Sequence, residues 1–141
     1  MQIIEAKHIV NVVACVLKKK EKILITSRPL DKSFSGIYEF PGGKVEETEY
    51  FIEALAREIY EELGVCLNFN KTYYLKSSMA LKKNKIKLHF FLCLSWTGQI
   101  ISREKQSMQW VIPSELKKYN LLESNEKFIN FLTGCIFPTA N

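Results

Sequence analysis

The chain contains 141 residues, of which 47% are hydrophobic and 25% are charged, and its formal net charge is +5. This composition predicts one globular domain over residues 1–141 and excludes a membrane-spanning protein, because no apolar run approaches the roughly 20 residues of a span. The positive charge favours ligands that carry phosphates. The lysines are dispersed, however, so charge alone does not separate a nucleotide from a nucleic acid.

The first part of the chain predicts a β-hairpin followed by a loop. Residues 9–17 and 23–27 are rich in strand formers, and the charged turn 18–22 joins them. A polar loop over residues 30–36 returns the chain to a short stretch at 37–40. Pro41, Gly42 and Gly43 then form a tight turn, in which bare backbone can approach a metal or a phosphate.

Residues 49–63 are predicted to form a helix, because they contain neither Gly nor Pro and are rich in good helix formers. Gly64 should end this helix. At about 100° per residue the apolar side chains fall in one stripe. This stripe consists of Ile52, Leu55, Ala56, Ile59 and Leu63. The carboxylates of Glu58, Glu61 and Glu62 share a separate face beside it.

Glu58, Glu61 and Glu62 crowd one helical turn. Each like-charge pair costs roughly 0.2–0.5 kcal/mol on an exposed helix, and more where solvent is excluded. Arg57 relieves part of this repulsion, and a cluster of hard oxygen ligands suits Mg²⁺ or Mn²⁺. No His or Cys ligand pattern competes, since His8 and His89 lack metal-ligand spacing. The alternative is a solvated acidic helix face.

The second half of the chain predicts another hairpin and a final helix. Strand-like stretches occur within residues 67–81 and over 86–96, with a lysine-rich turn at 82–85. A short strand is expected at 109–112, Pro113 can open a helix, and residues 124–132 form an amphipathic helix. Strands interleaved with helices predict an α/β or α+β fold, in which a mixed sheet is covered on both faces.

Nine residues fill every fixed position of the Nudix box: Gly43, Glu49, Arg57, Glu58, Ile59, Glu61, Glu62, Gly64 and Val65. The chain therefore resembles the Nudix hydrolases, which act on a nucleoside diphosphate linked to another group. The resemblance implies an α/β/α sandwich with a mixed β-sheet and the loop–helix–loop of the box. It also implies a divalent metal cofactor, Mg²⁺ or alternatively Mn²⁺.

The resemblance gives each residue of the box a role. The implied metal ligands are three carboxylates and one backbone carbonyl, from Glu58, Glu61, Glu62 and Gly42. Arg57 would hold the carboxylates in place, and Glu49 would fix the loop or the outer metal shell. Gly43 and Gly64 are fixed positions of the motif.

Outside the box the chain is similar to the MutT branch, whose enzymes hydrolyse oxidised purine nucleoside triphosphates such as 8-oxo-dGTP to the monophosphate and pyrophosphate. Arg28 stands one loop before the sequence YEFPGGK, as the nucleotide-contacting arginine does in that branch. The segment LLESNEKFI resembles the one that carries the base-reading asparagine, which makes Asn125 the expected base reader. Glu39 and Phe40 complete the implied substrate contacts.

Glu104 lies six residues after Gly98 and six before Trp110. The MutT branch places a further acidic residue there, near the metals and the attacking water. Glu104 is therefore an additional expected metal ligand and catalytic residue. Either Glu58 or Glu104 would orient or deprotonate the water, and the sequence does not choose between them.

Each flanking residue also has a structural interpretation. Asn125 is a natural helix N-cap, and Glu104 could be a solvated loop charge. Arg28 could be a surface charge at a strand end. Phe40 could belong to the core, to the wall of a nucleoside pocket, or to both.

Other substrates and another class of function stay open. CTP or dCTP is the chief rival, since related Nudix proteins use the same box on cytidine nucleotides, and capped RNA ends are a further one. Tyr38 and the segment 121–123 depart from the MutT pattern. A non-catalytic nucleotide-binding module of the same fold is the alternative of a different class, although a binder would not need all three carboxylates.

The expected partner is a nucleoside triphosphate, with no stable nucleic-acid complex and no membrane. Cys15, Cys66, Cys93 and Cys135 are far apart in apolar segments without a CxxC pair, which is typical of buried thiols in a reducing cytoplasm. Charged residues interrupt the apolar N-terminus, so no signal peptide is expected. We therefore expect a soluble, cytoplasmic monomer.

Overall fold

The computed structural model describes residues 9–27, 36–81, 85–121 and 123–136. Within these ranges the strands are β1 (Ile9–Lys19), β2 (Lys22–Ser27), β3 (Tyr38–Glu39), β4 (Gly42–Lys44), β5 (Cys66–Leu67), β6 (Thr72–Leu81), β7 (Lys85–Cys93), β8 (Trp96–Thr97) and β9 (Met108–Val111). The α-helices are α1 (Phe51–Leu63) and α2 (Glu123–Phe131). Shorter helical segments are the 3₁₀ helices Phe69–Lys71 and Pro113–Lys118 and the π-helical turn Leu132–Ile136.

The main sheet is mixed. Strands β3, β2, β1, β7 and β6 lie side by side in that order, while β4 pairs with β1 and β9 pairs with β2. The central pair, β1 and β7, is parallel, with Ile9 opposite Lys85 and Leu17 opposite Cys93. The other pairs are antiparallel, including β1 with β2 and β6 with β7. Both predicted hairpins are therefore confirmed, although the turn 82–84 lies outside the described residues.

The prediction of one continuous strand over residues 86–96 is wrong at its end. Strand β7 stops at Cys93, and Trp96–Thr97 pairs instead with Cys66–Leu67 in a separate two-stranded sheet. Between Cys93 and Trp96 the backbone changes its hydrogen-bond partners. The N–H of Leu94 donates to the carbonyl of Lys71 at 2.9 Å, and the N–H of Asn68 donates to the carbonyl of Ser95 at 3.0 Å.

The sheet separates two hydrophobic cores, because successive side chains of a strand point to opposite faces. Strand β1 contributes to both: Val13, Cys15 and Leu17 pack on the side of α1, and Ala14 and Val16 pack on the side of α2. Phe128 of α2 stacks on Phe90 of β7 with 3.8 Å between ring centroids. Helices cover both faces, which confirms the α/β/α sandwich.

Helix α1 begins two residues later than predicted, and Glu49 precedes it. The carboxylate of Glu53 accepts the N–H of Tyr50 at 2.9 Å and so caps the first turn. Gly64 ends the helix in the left-handed region at φ 75°, as predicted. One member of the apolar stripe was wrong: Ala54 is fully buried, whereas Ala56 is half-buried.

The structure also tests the predictions made for Asn125, the cysteines and Pro113. Asn125 lies inside α2, so its interpretation as an N-cap is wrong. Cys15 and Cys93 are buried as expected, but Cys66 is exposed. Pro113 opens a 3₁₀ helix, as its lack of an N–H allows.

In the part of the chain that the structure describes, no helix is long and apolar enough to cross a membrane.

Candidate active site

The two glycines before α1 form a strand and not the predicted free turn. Gly42 lies opposite Ala14 and Gly43 opposite Val13 on the central strand β1. The carbonyl of Pro41 accepts the N–H of Cys15 at 2.8 Å. Because successive carbonyls of a strand point to opposite sides, the carbonyl of Gly42 points away from β1. It is therefore oriented to bind another group, as the metal-ligand prediction requires.

Each glycine is needed for a different close approach. A methyl group on Gly42 would overlap the backbone of Val13 and Ala14, whereas one on Gly43 would overlap the carboxyl group of Glu58. The first glycine therefore lets β4 pair with β1. The second lets the backbone of β4 lie directly against a carboxylate of α1.

Arg57 connects the loop before α1 to the acidic face of the helix. Its guanidinium binds Glu49 through two hydrogen bonds, from Nε at 2.6 Å and from Nη2 at 2.9 Å. It also donates to the carbonyl of Lys44 at 3.0 Å, to Glu58 at 3.1 Å and to Glu61 at 3.4 Å. A planar fork with several donors suits this geometry. The predicted bracing roles of Arg57 and Glu49 agree with these contacts.

The Arg57–Glu49 pair is held in its ionised form. Hydrogen bonds from Arg57, and then the hydrogen bond from the N–H of Glu46 at 2.9 Å, lower the pKa of Glu49 to about 2. Glu49 therefore keeps its charge at neutral pH and anchors the loop to the helix. The carbonyl of Lys44 was missed as a partner of Arg57, because no side-chain pattern in a sequence marks a backbone acceptor.

Four carboxylates, two from α1, one from β3 and one from the loop after β8, influence one another. Burial, followed by the charges of Glu58, Glu104 and Glu39, raises the pKa of Glu62 well above its ordinary value. Burial likewise raises the pKa of Glu58, in opposition to Arg57. Glu58 and Glu62 influence each other, and burial is the largest cause of the raised pKa of both. The structure thus brings the predicted ligand Glu104 to the box, and Glu39 joins this group.

The oxygen donors fit a hard divalent cation, but they are not yet arranged around one. Among the described residues, no three His, Cys, Asp or Glu side chains are poised to hold a metal ion as they stand. Glu58 and Glu61 instead face the guanidinium of Arg57. Carboxylates bind a metal ion in their ionised form, so a bound cation would favour the ionised forms of Glu58 and Glu62.

The residues expected to bind the nucleotide lie in different environments. Asn125 is 2% exposed, and its Oδ1 accepts the N–H of Phe40 at 3.0 Å, which ties α2 to the segment between β3 and β4. Phe40 is itself buried, edge-on to Phe90 and Phe128. Its core role is thus observed, and its pocket role stays a prediction. Arg28 lies outside the described residues.

A mixed sheet covered by helices on both faces, with carboxylates gathered on one helix, is consistent with a metal-dependent enzyme. The chain belongs to the Nudix family, because the NUDIX domain model matches residues 7–132. The predicted family and fold are therefore confirmed. Nudix hydrolases generally use a divalent metal ion and act on nucleotide substrates.

Two curated relatives cover most of the chain. An 8-oxo-dGTP diphosphatase of Buchnera aphidicola subsp. Schizaphis graminum is 37% identical over 127 residues, which is 90% of this chain and 95% of that protein. A CTP pyrophosphohydrolase of Escherichia coli is 33% identical over 112 residues, or 79% of this chain and 82% of that one. Among solved structures, the E. coli ORF135 protein has a TM-score of 0.83 at 27% identity and covers 99% of this chain and 100% of that chain.

Magnesium is expected to raise the melting temperature, because the folded chain alone gathers these carboxylates and a ligand of the folded state stabilises it by mass action. The measurement is thermal unfolding across millimolar magnesium against a chelator baseline. Glu58→Gln should reduce the response, whereas Glu47→Gln in the exposed loop should keep it. A wild-type melting curve that magnesium leaves unchanged would contradict the metal site.

Proposed function

We propose that this Nudix hydrolase is a magnesium-dependent pyrophosphohydrolase that converts 8-oxo-dGTP to 8-oxo-dGMP and pyrophosphate. Such an activity removes oxidised guanine from the nucleotide pool and so prevents mutation. We further propose that it acts as a cytoplasmic monomer and as one domain. The observation that carries the hydrolytic part is the carboxylate cluster on α1, with Glu39 and Glu104 beside it and Arg57 bracing it.

The residues proposed to hold the metal are Glu58, Glu61, Glu62, Glu104 and the carbonyl of Gly42. When bound, the metal would neutralise charge on the phosphate chain and make water more acidic. Arg57 keeps Glu58 and Glu61 on the same side of the helix, through bonds of 3.1 and 3.4 Å.

In the reaction, water attacks a phosphorus of the triphosphate chain, the bond to the leaving phosphate oxygen breaks, and pyrophosphate departs. Glu58 or Glu104 takes the proton from the water. Arg57 and Glu49 contribute by fixing the carboxylates, and the loop with them, in one arrangement.

The proposed base reader is Asn125, supported by its buried position beside Phe40. Its Oδ1 is engaged by the N–H of Phe40, so its amide group would donate to O6 of the guanine. Oxidation at C8 turns N7 from an acceptor into an N–H donor. A pocket with an acceptor at that place gains a hydrogen bond with the damaged base and leaves lone pairs unmatched with the normal one. Arg28 is proposed as a phosphate or base contact on the sequence resemblance alone.

The relation to the Buchnera 8-oxo-dGTP diphosphatase supports the oxidised substrate. The relation to the E. coli CTP pyrophosphohydrolase favours CTP or dCTP as the second candidate. An assay of pyrophosphate release from 8-oxo-dGTP, dGTP, CTP and dCTP, with and without magnesium, distinguishes the two candidate substrates. Faster hydrolysis of CTP or dCTP at low substrate would overturn the oxidised-guanine proposal and leave the hydrolase assignment intact.

Asn125→Ala is expected to lower kcat/KM on 8-oxo-dGTP far more than on CTP, whose cytosine has no O6, by roughly ten- to a hundredfold in the ratio, since one buried hydrogen bond to the guanine is lost. The comparison of two substrates corrects for damage to the fold. Asn125→Asp is the matched variant, because it keeps an oxygen for the N–H of Phe40 and removes the amide donor. It should lose the preference as well. A preference unchanged in both variants would remove Asn125 from base recognition.

A further inference from the structure

The loop that follows β8 is fastened to the C-terminal end of α1. The last carbonyls of a helix have no partner within it. Here the N–H of Ile101 donates to Leu63 and the N–H of Arg103 donates to Glu62, both at 3.0 Å. The guanidinium of Arg103 also donates to the carbonyl of Tyr60 at 3.2 Å and lies 5.4 Å from the centre of its ring. The loop is therefore attached to the very turn that carries Glu62.

Within this loop, the side chain of Gln106 closes a ring of hydrogen bonds. Its Oε1 accepts the N–H of Glu104 at 3.0 Å. The hydroxyl of Ser102 lies 2.7 Å from the same Oε1 and 2.7 Å from the carbonyl of Gln106, and it donates to this pair. One carboxamide oxygen thus joins the two residues that flank Arg103.

The ring of hydrogen bonds around Gln106 stabilises a backbone conformation that is unfavourable for a lysine. Lys105, between Glu104 and Gln106, has φ 62°, in the left-handed region that residues other than glycine seldom adopt. Such a conformation persists when surrounding contacts determine it. Without the carboxamide of Gln106, the backbone at Lys105 would relax and the direction of the neighbouring Glu104 would change.

We propose that Gln106 is a positioning residue that holds the carboxylate of Glu104 toward Glu62 for hydrolysis. This inference rests on the proposed function. The hydrogen bond from the N–H of Arg103 to the carbonyl of Glu62 supports it, because it places the neighbouring Glu104 beside the turn that carries Glu62. Gln106 acts only through Glu104 and the loop, so its contribution should vanish when the carboxylate of Glu104 is absent.

A double-mutant cycle tests this dependence. Gln106→Ala should lower kcat by about ten- to a hundredfold at saturating magnesium, with a smaller change in KM, since a misplaced catalytic group slows the reaction more than binding. In a Glu104→Gln background, Gln106→Ala should add no further loss. The control is Gln109→Ala on β9, the same change at an exposed glutamine, which should leave kcat unchanged.

A second measurement needs no activity. The backbone amide of Glu104 should exchange its hydrogen slowly in the wild type and faster in Gln106→Ala, as followed by NMR, with the amides of α1 unaffected. Equal exchange at Glu104 in both proteins would overturn the inference. So would an equal loss of kcat in the wild-type and Glu104→Gln backgrounds, which would leave the proposed function standing. A wild type that hydrolyses none of the four nucleotides would overturn both.

Discussion

Glu62→Gln is expected to reduce turnover by several orders of magnitude while the fold survives. The charges of Glu58, Glu104 and Glu39 all act on Glu62, so its carboxylate lies among the proposed metal ligands. The amide that replaces it is nearly the same size but carries no charge. Glu47→Gln, the same change in the exposed loop before α1, is the control and should keep full turnover.

The same substitution should change how metal-free stability depends on pH. The pKa of Glu62 is raised in the folded chain, above all by burial, so the folded state binds more protons than the unfolded state above the ordinary glutamate pKa. Wild-type stability should therefore fall as pH rises from that value toward the raised pKa. Glu62→Gln removes this slope, and its advantage over the wild type should be largest at alkaline pH.

Denaturant unfolding in a chelator at several pH values measures this difference, and pyrophosphate release at saturating magnesium measures turnover. Glu58→Gln should behave in the same way, because burial also raises the pKa of Glu58. Wild-type turnover in either variant would remove these carboxylates from the metal site.

The adjacent variants Gly42→Ala and Gly43→Ala should have different defects, the first in stability and the second in hydrolysis. At Gly42 the added methyl overlaps backbone atoms of Val13 and Ala14, which no side-chain rotation can relieve. Strand β4 must then separate from β1, at a cost of about 1–3 kcal/mol or more. At Gly43 the methyl overlaps only the carboxyl end of Glu58, which can turn aside.

We therefore expect Gly42→Ala to lower the free energy of unfolding strongly, or to prevent folding. Gly43→Ala should unfold much like the wild type yet hydrolyse very slowly, because Glu58 is displaced from its place. Each variant is the control for the other, since the chemical change is identical. Denaturant unfolding and turnover are measured on both. Full activity in Gly43→Ala, or an undisturbed unfolding midpoint in Gly42→Ala, would contradict this account of the glycine pair.

Local features of this fold could be predicted from the sequence. The helix, its end at Gly64 and the acidic face with Glu58 and Glu62 follow from spacing and propensity, which act within a few residues. The start of the helix was placed too early because the backbone of Tyr50 is extended, with φ −72° and ψ 156°, so the helix begins at Phe51. The family itself was recognisable because the box is a contiguous pattern.

Structural features that depend on contacts between residues far apart in the sequence could not be predicted. Strand β4 consists of glycines and a lysine, which favour no strand, and forms because β1 offers unpaired backbone groups. The bond between Phe40 and Asn125 joins residues 85 positions apart. The ring around Gln106 depends on a left-handed Lys105, which no sequence pattern indicated.

The parallel pairing of β1 with β7 has a consequence for how the molecule is made. These strands lie far apart in sequence, and α1 falls between them, so the helix emerges from the ribosome before the sheet it packs against is complete. Pairing of this kind requires closure of a long loop and forms slowly. During synthesis the acidic turn is therefore solvated and unbraced on its sheet side. We therefore expect catalytic competence to arise late, after β7 and the segment around Glu104 have left the ribosome, and nascent chains that end earlier to carry the motif without its activity.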